Sequence, residues 1–126
     1  MPITLNLKVH DDYLEAEFIG NREVENELEE SIRIWSEIPL ICEVHGLHKI
    51  MAISLLNRRL KLDNTFKFTE RFDTIGWKPQ FKLAGVVFDE ELRMEYEVMA
   101  TFIRNFGYPC QVFNTTKEAK NWLLNF

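Results

Sequence analysis

Apolar and polar residues alternate from the start of the chain. In ITLNLKVH, Ile3, Leu5, Leu7 and Val9 share one face and Thr4, Asn6, Lys8 and His10 the other, which is the period of a half-buried strand. Asp11-Asp12 then reads as a turn. A two-residue loop there sets Val9 against Leu14, Leu7 against Ala16 and Leu5 against Phe18, with Lys8 against Glu15 and His10 against Tyr13. A slip of one residue would oppose every apolar side chain to a polar one, so the pattern sets the register.

Gly20-Asn21 breaks the second strand, and Asn21 is placed to cap a helix whose apolar positions Val24, Leu28, Ile32 and Trp35 follow helical spacing. Glu23, Glu25 and Glu27 suit the positive end of its dipole, and Pro39 is expected to stop it. LICEV, Leu40 to Val44, is short, apolar and bounded by breakers, and reads as a buried strand. KLAGVVF, Lys82 to Phe88, reads as another. The long segment between them holds two helical patterns, through Ile53, Leu56 and Leu60 and through Phe68, Phe72 and Ile75, separated by Asp63-Asn64. Leu92, Tyr96, Met99, Ile103 and Phe106 line one face of a further helix, with Gly107 as its C-terminal cap. CQVF after Pro109 is a last short strand, and Thr115 with Glu118 forms a capping-box signature that opens a terminal helix through Ala119, Trp122 and Leu123.

The expected order is β-β-α-β-α-α-β-α-β-α in one α/β domain spanning 1–126, with a mostly parallel mixed sheet and an N-terminal antiparallel hairpin. In such a sheet the C-terminal strand ends share one rim, where ligands bind. That rim is expected to gather Gly20-Asn21, His45-Gly46, Asp89-Glu90 and Asn114-Thr115, so Asn21, His45, Gly46, His48, Asp89 and Asn114 are its binding candidates.

Composition narrows the partners. The 126 residues are 46% hydrophobic and 28% charged, with a formal charge of −5 and no basic run beyond Arg58-Arg59. Nucleic acid and anionic membrane surfaces need a concentrated basic face, so neither is expected. The first residues lack the basic start and unbroken apolar core of a signal peptide, and no stretch approaches a membrane span. Cys42 and Cys110 sit in apolar runs and fit a reducing cytoplasm.

Candidate chemistry is sparse. His45 and His48 stand three apart beside Glu43 and Cys42, yet Glu43 and Cys42 would point to opposite faces of a strand, and zinc needs three or four converging ligands. No metal or cofactor is expected. No phosphate-binding glycine fingerprint is present; Asp89, Glu90 and Glu91 suit the start of the helix after them. Ser31, Ser36 and Ser54 lie in no nucleophile elbow, so no catalytic residue is named. Phe66, Phe68, Phe72, Trp77 and Phe81 cluster before the strand at Lys82. They are read as core or, for Phe66, Phe68, Phe72 and Trp77, as the wall of an apolar ligand site or a dimer contact.

FKLAGVVFDEEL, a following helix and then YPCQVFNTTKEAKNWL resemble the SpoIIAA-like superfamily, which holds STAS domains and their SEC14-associated relatives. The resemblance implies a SpoIIAA-like sheet over nearly the whole chain, and a noncatalytic cytoplasmic module that binds a protein partner or a second copy of itself. The SEC14-type likeness implies instead a small apolar ligand or lipid. An enzyme using His45, His48 and Asp89 is the third alternative. Anti-sigma-antagonist STAS domains resemble one another in a phosphorylated Asp-Ser-Ser/Thr-Gly turn. Aligned on LICEVHGLHKI, that turn falls at Met51-Ala52-Ile53-Ser54, where the acidic residue and both hydroxyls are missing, so the switch is not carried over.

Overall fold

The computed structural model of the chain describes residues 3–22 and 25–125. Strands β1 (Thr4–Val9) and β2 (Leu14–Gly20) form the expected hairpin in the expected register, Val9 with Leu14, Leu7 with Ala16 and Leu5 with Phe18. The His10 amide donates to the Tyr13 carbonyl at 3.0 Å, and the two rings stack with centroids 4.3 Å apart. Asp11-Asp12 is therefore a two-residue loop.

Past the hairpin the element order differs from expectation. Helices α1 (Glu27–Trp35) and α2 (Glu37–His45) both precede β3 (Lys49–Leu56). They are followed by α3 (Leu62–Glu70), β4 (Lys82–Val86), α4 (Glu90–Asn105), β5 (Cys110–Phe113) and α5 (Thr116–Leu124). The order is β-β-α-α-β-α-β-α-β-α. LICEV is helical, and the inner strand is KIMAISLL.

The physical reasons are local. Pro39 is the third residue of α2, in a first turn whose N–H groups have no intrahelical acceptor, so it does not stop the helix. The break falls at Ser36. Gly46 ends α2 in the left-handed region (φ 65°, ψ 32°), and the Leu47 amide closes on the Cys42 carbonyl at 2.8 Å. Ile38 and Cys42, one turn apart, enter the core, while Leu40 and Val44 are 63% and 76% exposed. The apolar run thus has two unlike faces. Ile50, Met51, Ala52 and Ile53 are all buried, because β3 is covered on both sides, and a strand covered on both sides loses its alternation. Asn21 does not cap α1, whose N-cap is Asn26; Glu23 and Val24 lie outside the described residues.

The five strands stand in the order β1-β2-β3-β4-β5, antiparallel at β1–β2 and parallel thereafter. Right-handed crossovers that step the same way each time put their helices on one face. Accordingly Ile34, Ile38, Phe68, Met99 and Ile103 from α1 to α4 pack with Ile50, Ala52 and Leu83. Ala119 and Leu123 of α5 meet Met51, Ile53, Ala84 and Val86 on the other face. The expected cap at Thr115 is present, accepting from the Glu118 amide at 3.1 Å, and Asp89, expected at the helix start, proves to be its cap and accepts from the Leu92 amide at 2.9 Å.

Phe68, Phe72, Trp77 and Phe81 are buried. Trp35 stands among them, with ring centroids 5.0 Å from Phe18, 5.7 Å from Phe68 and 5.5 Å from Trp77. These crossover aromatics are packing residues. Phe66 faces outward, 48% exposed, against Phe102 and Phe106.

The two faces of α2 give a direct test. Val44→Lys is expected to change stability by no more than about 0.5 kcal/mol, as for an ordinary surface site. Cys42→Asp is expected to cost several-fold more by burying an unpaired charge. Urea denaturation of both variants reads the difference, and equal losses would contradict the helix.

Candidate functional site

The corrected strand boundaries redraw the rim. The C-terminal ends of β2 to β5 lead into Asn21, Asn57, the Val87–Asp89 segment and Asn114. Asn21, Asp89 and Asn114 therefore share the expected edge, where all three are exposed and Asp89 is engaged as a helix cap. His45, Gly46 and His48 do not. They precede β3 and lie at the opposite edge, beside a cleft of about 280 Å³ that includes Glu43, His48, Lys78 and Phe81. The enzyme reading that joined His45 and His48 to Asp89 loses its geometry. His10 is occupied in the hairpin, 3.0 Å from Glu15. Among the described residues, no group of three or more His, Cys, Asp or Glu side chains comes together as a metal site.

The feature that sequence reasoning missed lies inside, between the sheet and helices α1, α3 and α4. A cavity of about 70 Å³ is walled by Phe18, Trp35, Phe68, Met99, Ile103 and Val112. Its floor explains its existence. Along β3 and β4 the side chains facing these helices alternate with those facing α5, and at the centre they are Ala52, Ser54 and Gly85. Three small residues side by side leave space that the helices do not fill. Gly85 is not there for its backbone, since its φ is not positive. An added Cβ would meet Val112 at an ordinary 3.7 Å.

One end of the cavity is polar. The Ser54 hydroxyl donates to Tyr96 Oη at 3.1 Å, and Tyr96 Oη donates to the Arg58 carbonyl at 3.3 Å. The same carbonyl accepts from Arg22 Nε at 2.9 Å, and Arg22 Nη1 reaches Ser31 Oγ at 2.8 Å. Arg22 is only 8% exposed. Its amide bonds Asn57 Oδ1 at 2.9 Å, tying the ends of β2 and β3 together.

Glu27 anchors the outer layer of this cap. It is 1% exposed, and its two oxygens take Arg58 Nη1 at 2.6 Å, the Lys61 amide at 2.9 Å and Asn64 Nδ2 at 2.7 Å. Burial alone would push its carboxyl up. The hydrogen bonds from Asn64, the Lys61 amide and Arg58, with the charge of Arg58, hold it below the ordinary value. Cys110 on the cavity wall and Cys42 in the core are both free thiols. Burial pushes Cys42 up to about 11 and Cys110 up to about 12, the latter against a small opposing effect of Arg104, so neither is a nucleophile near neutral pH.

Asn57, Arg58 and Arg59 follow β3 directly; the loop after that strand carries no hydroxyl residue, and Met51 to Ser54 lie within the strand itself. A correct boundary for KIMAISLL would have placed Arg58 on the rim. Nothing in the sequence pairs it with Glu27. No model of a known protein family matches the chain, and no curated protein matches it.

Glu27→Gln is expected to cost about 3 kcal/mol near neutral pH by leaving Arg58 without its buried partner. Because the folded carboxyl is depressed, its contribution is present above the unfolded value near 4.5 and is lost as pH falls through the lower folded value. Denaturation midpoints between pH 6 and 3 should therefore fall less steeply for the variant than for the wild type.

Proposed function

We propose that this chain is a noncatalytic binding module that holds a small apolar ligand in the cavity between its sheet and helices α1, α3 and α4. The observation that carries the reading is that cavity, lined almost wholly by apolar side chains and floored by Ala52, Ser54 and Gly85. Preformed apolar space with a few placed polar groups is the usual form of a small-molecule site, and protein interiors otherwise leave few voids. Of the four aromatic candidates, Phe68 lines this space, while Phe72 and Trp77 are packed behind it. The SpoIIAA-like resemblance belongs to the same proposal. It is supported by the antiparallel opening hairpin, the parallel strands that follow and the final helix with Ala119 and Trp122-Leu123. Two free buried thiols support a reducing compartment such as the cytoplasm.

A second reading rests on the outer face of α3 and α4. Leu62, Phe66, Val98 and Phe106 are each between 42% and 48% exposed, and Phe66 lies 5.7 Å from Phe106. Exposed apolar patches mark contact surfaces, and this one supports association with a protein partner or a second copy. Under that reading the mass measured by sedimentation exceeds that of one chain, and Phe66→Glu restores the monomer. A monomer at all concentrations with no captured partner removes it.

The cavity reading is tested by methyl NMR with xenon, a neutral probe smaller than benzene. Methyl resonances of Met99, Ile103 and Leu83 should shift on titration, and saturating ligand at a hundred times its Kd should stabilise the fold by about 2.7 kcal/mol. Gly85→Val, which fills the floor, should abolish both effects. Unmoved resonances in the wild type, together with no small molecule extracted from the gently purified protein, would overturn the reading.

A further inference from the structure

Arg22 is the unusual group in the molecule. An arginine does not lose its proton in a protein, and a cation taken out of water is costly unless an anion or several dipoles face it. Arg22 is more than nine-tenths buried and lines the cavity. Its neighbour Arg58 has Glu27 as counter-ion at 2.6 Å. No carboxylate of the described residues lies within ion-pair distance of Arg22, whose guanidinium meets only the Arg58 carbonyl and the Ser31 hydroxyl, through Nε and Nη1. Nη2 has no acceptor among the described residues. Of the described residues that line the cavity, Arg22 is the one with a charge. Tyr96 Oη shares the Arg58 carbonyl with Arg22 Nε, and Ser54 Oγ bonds Tyr96. Arginine, phenol and hydroxyl therefore stand together at one end, and hydrocarbon makes up the rest.

We propose that the ligand is a short-chain carboxylate. Its head would pair with Arg22 beside Tyr96 and Ser54, and its tail would lie over Gly85 toward Met99 and Ile103. This rests on the reading of the cavity as a ligand site and adds the charge of the ligand. The space limits the tail. A cavity of about 150 Å³ takes up the six carbons of benzene, so one of about 70 Å³ suits a tail of about three carbons. A carboxylate in place of water would complete the donors of Arg22 with a charge-assisted bond, stronger than one to a neutral oxygen.

The experiment compares propanoate, butanoate and pentanoate with 1-butanol, by calorimetry at neutral pH and by methyl NMR. Butanoate is expected to bind the wild type at least about tenfold tighter than butanol, the margin of one charge-assisted hydrogen bond. Affinity should rise about fourfold per methylene until the tail fills the space. In Arg22→Gln, checked for folding by circular dichroism, butanoate should lose its advantage while butanol binding persists. If that variant does not fold, the wild-type comparison of acid with alcohol decides alone. Equal affinity for the two would overturn the carboxylate inference and leave the apolar site standing. Binding of neither would overturn both. Butanoate shifts confined to surface lysines, with the Met99 and Ile103 methyls unmoved, would also overturn the inference.

Discussion

The architecture depends on β3 lying between β2 and β4 in parallel register, with both its faces buried. Seven residue pairs join it to β2 and five join it to β4. Its buried side chains divide between two cores: Ile50, Ala52 and Leu56 meet the crossover helices, and Met51 and Ile53 meet α5. Because parallel neighbours must be linked by crossovers of one hand, this pairing also decides on which face α1 to α4 lie. A strand held in this way cannot slip by one position without exchanging its two sets of side chains.

The same constraint produces the cavity. Phe18, Leu56 and Leu83 stand around the small floor of Ala52, Ser54 and Gly85, and the side chains of α1, α3 and α4 leave space above it. Ser54 adds a hydroxyl to that floor, satisfied by Tyr96 on α4. The polar cap at the rim then does two things. It joins the ends of β2 and β3 through Arg22 and Asn57, and it brings buried charge to the mouth of an otherwise hydrocarbon space. Under the proposed ligand reading, stability and recognition draw on the same few groups, of which Glu27 serves the first and Arg22 both.

Where the sequence carried local information it was legible. The hairpin register followed from alternation and one turn, and Thr115 was placed correctly as a helix cap because capping is a contact over three residues. The failures were at LICEV and KIMAISLL. A four- or five-residue apolar run has no period of its own, so a helix with Leu40 and Val44 facing out looked like a strand. A strand buried on both faces meanwhile offered Ile53, Leu56 and Leu60 at accidental helical spacing. That one exchange moved His45, Gly46 and His48 to the wrong edge and hid Asn57 and Arg58. The cavity was illegible for another reason. It arises from what Ala52, Ser54 and Gly85 lack, summed across two strands, and no linear pattern reports a shared absence.

The strand order has a kinetic meaning. Each strand of the sheet pairs with the one made just before it, so a chain emerging in order always finds its template already formed. No strand must be inserted between two others. Each parallel pairing still spans 27 to 36 residues, which slows folding, but growth from one edge lets the sheet assemble as the chain is synthesised. Helix α5 arrives last, and only then is the second face of β3 and β4 closed to water.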